Sequence, residues 1–75
     1  MSKQTRALVA QNIRNFRLRL GSSPEEMAEL LNISVDEYVE RELGEADFTS
    51  AELFVIARRL GVTMEQLFTP GGGNN

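Results

Sequence analysis

The 75-residue sequence contains no cysteine and no histidine. The absence of cysteine excludes disulfides and thiolate chemistry. The absence of both residue types excludes Cys/His metal sites and any catalytic triad that needs an imidazole base. No apolar run approaches the length of a membrane span, and the N-terminus lacks the pattern of a secretory signal. We therefore expect a cytoplasmic protein that is not an enzyme, binds no metal or cofactor and is not held in a membrane.

Basic residues are also few, and they are unevenly distributed. The chain carries 8 Lys and Arg against 11 Asp and Glu, a formal net charge of −3. Such a balance is unusual for a nucleic-acid-binding domain, because phosphate contacts are made mostly by Lys and Arg. The first 20 residues contain basic residues and no acid, whereas residues 25–52 contain ten acids and one base, Arg41. The sequence thus predicts a basic first helix followed by an acidic middle.

The first helix is predicted from hydrophobic periodicity. Val9, Ile13, Phe16 and Leu20 recur at the spacing of one helix face. Gly21 follows at the position that favours a left-handed helix end. We expect a helix over residues 5–20, with residues 1–4 frayed.

Four capping boxes predict four further helices. In each box a Ser or Thr is followed three residues later by Glu or Gln, and the boxes begin at Ser23, Ser34, Thr49 and Thr63. Helix ends are expected at Asn32, Leu43-Gly44, Gly61 and Thr69-Pro70. The apolar residues expected to face the core are Met27, Leu30 and Leu31 on the second helix and Leu53, Phe54, Ile56, Ala57 and Leu60 on the fourth. These signals predict an all-α fold, a compact five-helix bundle over residues 1–69, with residues 70–75 as a flexible tail.

The second and third predicted helices form a recognisable unit. Both are short, and only residues 32–34 separate them. Helices joined by so tight a turn cross at a steep angle, which is the helix-turn-helix arrangement.

Four stretches of the chain carry a family resemblance. They are IRNFRLRLG at 13–21, PEEMAELLNIS at 24–34, Glu42-x-Gly44, and IARRLGVTMEQLF at 56–68. On these stretches the chain resembles the lambda-repressor/Cro-type helix-turn-helix domains of the XRE family, over about residues 9–68. The resemblance implies a bacterial or phage transcriptional regulator that binds double-stranded operator DNA as a homodimer, with the third helix (residues 35–43) in the major groove.

The resemblance also assigns roles to particular positions. The positions that face DNA are Ser23 and Pro24 at the start of the second helix and Ser34, Val35, Asp36, Val39 and Glu40 on the third. The remaining candidates for phosphate contacts are Arg6, Arg14 and Arg19. Arg17 and Glu42 are expected to form a structural ion pair that ties the first helix to the third.

The residues of the third helix are also compatible with a second function. Its acidic residues would face the DNA phosphates, at a cost of about 1 kcal/mol each. Val35, Val39 and Leu43 form an apolar stripe that can face a partner protein or a second copy, contact DNA, or join the core if the helix is rotated. Rotation is conceivable because Arg41 stands where the family often has a large apolar residue. The alternative function is a helix-turn-helix scaffold that has lost DNA binding and serves protein–protein interaction or dimerisation through this face.

Overall fold

The structure, a computed structural model, describes residues 1–72. It contains, within that range, the five helices α1 (Lys3–Leu20), α2 (Pro24–Leu31), α3 (Val35–Glu42), α4 (Ser50–Leu60) and α5 (Met64–Phe68). The radius of gyration is 10.8 Å. The predicted all-α helix-turn-helix bundle is confirmed.

Each of the last four helices begins with a complete capping box. The side chains of Ser23, Ser34, Thr49 and Thr63 accept from the third backbone N–H of their helices, and the Glu or Gln at that position accepts from the capping N–H in return. Two backbone donors that a helix start leaves without partners are thereby satisfied at every box.

Helix α3 ends at a close approach to α1. Gly44 has φ +79°, and a Cβ atom at this residue would lie 3.5 Å from Cα of Ala7. The N–H groups of Gly44 and Glu45 donate to the carbonyls of Arg41 and Glu40. These two bonds satisfy carbonyls that the last turn would otherwise leave open.

The start of the first helix differs from the sequence-based boundary. Helix α1 begins at Lys3, because the Ser2 hydroxyl accepts from the N–H of Thr5 and caps it; the expected start at residue 5 was two residues late. At the other end, the N–H of Gly72 donates to the carbonyl of Thr69 at 2.8 Å and closes a turn. Residues 73–75 of the expected tail lie outside the described residues.

The hydrophobic core lies between α1 and the other four helices. Its buried members are Val9, Ile13, Phe16, Met27, Ala28, Tyr38, Phe48, Leu53, Ile56, Ala57 and Leu67. Three residues predicted to be buried are not: Leu20, Leu30 and Phe54 are 49%, 40% and 55% exposed. Each fits the apolar periodicity of its helix but is not part of the buried cluster.

The charge segregation of the sequence is partly cancelled by folding. Arginines from α1 and α4 meet acids of the middle segment in three ion pairs, Arg17–Glu42, Arg6–Asp47 and Arg59–Glu26. Arg41 of α3 pairs with Glu52 of α4. The acidic middle is therefore tied to the rest of the fold by its own charges.

The Arg41–Glu52 pair predicts loss of stability in acid. Burial alone would raise the pKa of Glu52, but the N–H of Thr49 and the Arg41 guanidinium hold that pKa below its ordinary value of 4.5. A carboxylate with a lowered folded-state pKa contributes stability above its unfolded pKa and loses it as the pH falls through the folded pKa. We expect the free energy of unfolding to decrease as the pH is lowered below about 4.5. The decrease should be less steep in Glu52→Gln than in the parent chain.

The measurement is urea unfolding at a series of pH values from 7 to 3. Glu65→Gln removes an exposed carboxylate that takes part in no ion pair within residues 1–72 and serves as the control. Equal acid sensitivity of Glu52→Gln and Glu65→Gln would contradict a role for the pair.

Candidate nucleic-acid interface

A three-residue turn sets the angle between α2 and α3. Asn32 ends α2 in the left-handed conformation, φ 57° and ψ 44°, and the N–H groups of Asn32 and Ile33 donate back to α2 carbonyls. Ile33 packs against the core, and Ser34 caps α3. The turn is therefore fixed at each of its residues.

One face of α3 packs against the other helices of the domain. Tyr38 is fully buried. Three and four residues later on the same face, the side chains of Arg41 and Glu42 are 17% and 9% exposed. Burial, and secondarily the Glu42 carboxylate, raises the pKa of the Tyr38 hydroxyl well above its ordinary value of 10.0. This hydroxyl is the one buried side-chain polar atom without a hydrogen-bond partner in the described chain.

The Arg17–Glu42 pair joins α1 to the end of α3. Nε and Nη2 of Arg17 donate to the two carboxylate oxygens of Glu42 at 2.8 and 2.7 Å, and Nη1 donates to the carbonyl of Ser22 at 2.9 Å. The two side chains are 8% and 9% exposed. The hydrogen bond to Glu42 raises the pKa of Arg17. The pair fixes the rotation of α3 about its axis.

The opposite face of α3 points outward. Val35, Val39 and Leu43 are 37%, 38% and 67% exposed. The interpretation in which α3 is rotated and this stripe joins the core is therefore wrong, because Tyr38 fills the core position and Arg41 pairs with Glu52. Asp36 and Glu40 lie on the exposed side of the helix as well.

A groove of about 500 Å³ separates α1 from the outer face of α3. It is lined by Ala7, Ala10, Gln11 and Arg14 of α1, Pro24 of α2, and Val39, Glu42 and Leu43 around the end of α3. We call this the α1–α3 groove. It brings Pro24, Val39 and Arg14 together at one surface, although they come from three helices.

The three candidate phosphate-binding arginines do not share this surface. Arg14 lines the groove and is exposed. Arg6 is held by the carbonyl of Gly44 at 3.0 Å and by Asp47 at 3.8 Å. Arg19 lines a different groove, together with Leu60 and Val62.

Gln11 is a groove residue that the sequence analysis did not select. Its side-chain amide donates to Asn15 at 3.1 Å and is exposed. The signal was present, since positions 7, 10, 11 and 14 share one face of α1 at helical spacing. An uncharged amide carries no charge signal that would mark it as a phosphate contact.

The outer surface of α3 is acidic. Asp36, Glu37 and Glu40 are exposed and take part in no ion pair within residues 1–72. The Glu37 carboxylate accepts from the N–H of Ser34, and this bond lowers the pKa of Glu37. Arg14 lines the α1–α3 groove and takes part in no ion pair within residues 1–72.

The described residues offer neither a metal site nor a membrane-spanning helix. Residues 1–72 contain no group of three acidic, Cys or His side chains placed to hold a metal ion. No helix in this range is both long and apolar enough to cross a membrane.

Comparison with known proteins agrees with the fold and with the family resemblance. A family model described as helix-turn-helix matches residues 13–67. The crystal structure of a protein described as the hypothetical transcription factor NHTF from Neisseria superposes with a TM-score of 0.78 and 30% sequence identity, covering 93% of this chain and 82% of that one. No significant match was found among curated proteins. The chain belongs to the helix-turn-helix family, of the XRE type.

Proposed function

We propose that this chain is a DNA-binding transcriptional regulator that places α3 in the major groove. The observation that carries the proposal is the two-sided construction of α3. Tyr38 and Glu42 hold its inner face, while Val35, Asp36 and Val39 are exposed on its outer face. The major groove of B-DNA admits an α-helix. Family membership and the description of the Neisseria protein as a transcription factor support the same function.

The outer residues of α3 have chemistry suited to a limited set of base contacts. Val35 and Val39 can contact thymine methyl groups, and the carboxylates of Asp36 and Glu40 can accept from the amino group of cytosine. Ser34, at the start of the helix, can donate or accept. We infer that sequence preference comes from these five positions.

Phosphate contacts are sparse in this arrangement. At the start of α2, Pro24 has no N–H, and the N–H of Ser23 is already bonded to Glu26 at 2.9 Å. Arg14 and Gln11, across the α1–α3 groove, are the side chains best placed to donate to phosphate. Because few cations oppose Asp36, Glu37 and Glu40, we expect weak binding that is lost at moderate salt.

The test is an amide-shift titration by NMR with a mixed-sequence DNA duplex, at low and at higher salt. The expected result is salt-sensitive shifts at the start of α3 and around Arg14. Arg14→Gln should weaken binding about tenfold and reduce the salt slope by about one. Arg19→Gln removes the same charge from another groove and should bind as the parent does.

Two outcomes would overturn this function. The absence of shifts at millimolar DNA would exclude it for this domain. If Arg14→Gln and Arg19→Gln weakened DNA binding equally, the attraction between protein and DNA would be general electrostatic attraction. Helix α3 would then not lie in the major groove.

A second candidate function is a protein-interaction scaffold. It is favoured by the exposed apolar residues Val39 and Leu43 beside the acids Asp36 and Glu40, which form no ion pair within residues 1–72. An acidic rim around an apolar stripe is complementary to a basic protein surface. This candidate replaces the first if the titration with DNA gives no shifts.

A further inference from the structure

A second exposed groove lies between α2 and α4. It has a volume of about 390 Å³ and is lined by Leu30 of α2 and by Phe54, Val55, Arg58 and Arg59 of α4. Its three apolar residues are 40%, 55% and 36% exposed. Single exposed apolar side chains are ordinary, but three large ones that line one groove are typical of an interaction site. We call this surface the α2–α4 groove.

The spacing of residues along α4 explains why its side of the groove is exposed. Four exposed residues are neighbours at spacings of three and four and share one face of the helix: Ala51, Phe54, Val55 and Arg58. Another face of the same helix places Ile56 in the core. The outer face of α4 is therefore an apolar strip that ends at an arginine.

The charged residues that line the α2–α4 groove are both arginines. Arg58 is exposed and takes part in no ion pair within residues 1–72. Arg59 lies 3.9 Å from a carboxylate oxygen of Glu26, and the two side chains are 42% and 57% exposed. An ion pair between groups as exposed as these is weak, so Arg59 can exchange Glu26 for the carboxylate of a partner. The lining of the groove is thus basic, although the net charge of the chain is −3.

We propose that the α2–α4 groove binds a segment of a partner protein that carries apolar side chains next to acidic ones. The apolar side chains of the segment cover Leu30, Phe54 and Val55. Its carboxylates accept from the guanidinium groups of Arg58 and Arg59, whose planar forks can bind a carboxylate through two N–H groups at once. A basic segment is opposed by both arginines. A phosphate backbone pairs with the arginines but leaves Leu30 and Val55 facing water.

The charges elsewhere on the domain favour the same assignment. Asp36, Glu37 and Glu40 on the outer face of α3 repel an acidic segment, whereas the two arginines attract it. The protein partner considered for α3 is basic, so the two surfaces select partners of opposite charge. None of the residues that line the α2–α4 groove lines the α1–α3 groove. Failure of this proposal and failure of DNA binding through α3 are therefore separate results.

The experiment is an amide-shift titration by NMR of the full chain with two short helical peptides. The peptides share the same leucine and phenylalanine residues, and their remaining positions are mainly glutamate in one and lysine in the other. The glutamate peptide is expected to give saturable shifts at the backbone amides of Leu30, Phe54, Val55 and Arg58, which decrease at higher salt. The lysine peptide is expected to give no shifts at these amides.

Reversing the charge of the groove should reverse its preference between the two peptides. Arg58→Glu is expected to weaken binding of the glutamate peptide about tenfold and to allow the lysine peptide to bind. Arg19→Glu is the matched control, because Arg19 is exposed, forms no ion pair within residues 1–72 and lines a different groove. It should keep the preference of the parent chain.

The apolar part of the groove is tested by Phe54→Ser, which should abolish the shifts caused by the glutamate peptide. Leu18→Ser is its control, because Leu18 is 54% exposed and Phe54 is 55% exposed; it should bind as the parent does. Circular dichroism checks that both variants fold, and the charge reversal at Arg58 tests the proposal independently of Phe54→Ser.

Four results would overturn the proposal. Equal binding of the two peptides to the parent chain would mean that apolar attraction acts alone, and the absence of shifts in the groove at millimolar peptide would mean that it is not an interaction site. Equal weakening by Arg58→Glu and Arg19→Glu would mean that the attraction is not local to the groove. Shifts in the groove caused by single-stranded oligothymidine, but not by the glutamate peptide, would assign the groove to nucleic acid.

Discussion

Replacing Glu42 by glutamine is expected to lower the melting temperature of the domain by about 12 °C or more. Glutamine keeps the shape of the side chain but leaves the guanidinium of Arg17 without a counter-charge in a site where both side chains are more than nine-tenths buried. Breaking a buried pair on one side costs about 3–5 kcal/mol. In a domain of this size each kcal/mol shifts the melting temperature by roughly 4–8 °C. Thermal unfolding followed by circular dichroism measures the effect.

Glu40→Gln provides the matched control. Glu40 lies two residues earlier on the same helix, is exposed and takes part in no ion pair within residues 1–72. Its replacement should change the free energy of unfolding by less than about 0.5 kcal/mol. A melting temperature for Glu42→Gln equal to that of Glu40→Gln would show that the pair contributes nothing to stability.

Removing both charges should be less harmful than removing one. The double variant Arg17→Met, Glu42→Leu replaces the pair with apolar side chains and leaves no buried charge unpaired. Such replacements are often neutral or stabilising. We expect the double variant to be more stable than Glu42→Gln, which would locate the cost of the single change in the isolated guanidinium.

Helix boundaries in this protein could be predicted because they depend on local chemistry. A capping box is complete within four residues, so Ser34 and Glu37 identify the start of α3 without knowledge of its neighbours. The start of α1 was missed for the same reason. Ser2 is followed by Thr5 rather than by Glu or Gln, and the apolar periodicity begins only later in the helix.

Burial at the edges of helices could not be predicted from periodicity. Leu30 and Phe54 fit the apolar faces of α2 and α4, but whether an edge position is covered depends on how far the neighbouring helix extends. That information is non-local, because α2 and α4 meet only after the chain has passed through α3. Both residues line one exposed groove between α2 and α4.

The pairing of charges could not be predicted from the order of residues in the sequence either. A window of the sequence shows Arg41 alone among ten acids, yet Arg6, Arg17 and Arg59 reach the same acids in the fold. The orientation of α3 was left open by the sequence, and in the fold it is set by Tyr38 in the core and by the pairing of Glu42 with Arg17. Only the structure shows that Arg6 is not part of the candidate surface. Its partners are the carbonyl of Gly44 and the carboxylate of Asp47, which both follow α3 in the sequence.

Asn12 is a buried polar residue that the sequence analysis did not select, although it lies on the apolar face of α1. It is 1% exposed, and its Nδ2 donates to the carbonyls of Leu67 and Thr69 at 2.9 and 2.8 Å. Helix α5 ends at Thr69 in an extended conformation, without the left-handed residue that closes the other helices. The amide of Asn12 therefore takes the place of a helix cap and fixes α5 to α1.

Asn12→Asp is expected to reduce the free energy of unfolding at pH 7 by about 3 kcal/mol or more. The substitution replaces the donating NH₂ by an acceptor oxygen, so a buried carboxylate faces two carbonyl oxygens and has no donor. Asn15→Asp is the control: Asn15 lies on the same helix, is half-buried, and accepts from Gln11 through an oxygen that aspartate keeps. It should cost less than about 0.5 kcal/mol. Urea unfolding of both variants gives the comparison.

The pH dependence separates this mechanism from a simple packing defect. Burial raises the pKa of an aspartate at position 12 above its ordinary value, so the destabilisation is greatest above that raised pKa and declines as the pH falls through it. The protonated acid can donate one of the two hydrogen bonds again. Asn12→Asp should thus recover stability relative to the parent chain between pH 7 and pH 5, where the parent is not yet losing its own carboxylate contributions. A deficit that is the same at both pH values would mean that position 12 matters for its shape, and that the hydrogen bonds to α5 are not what holds that helix in place.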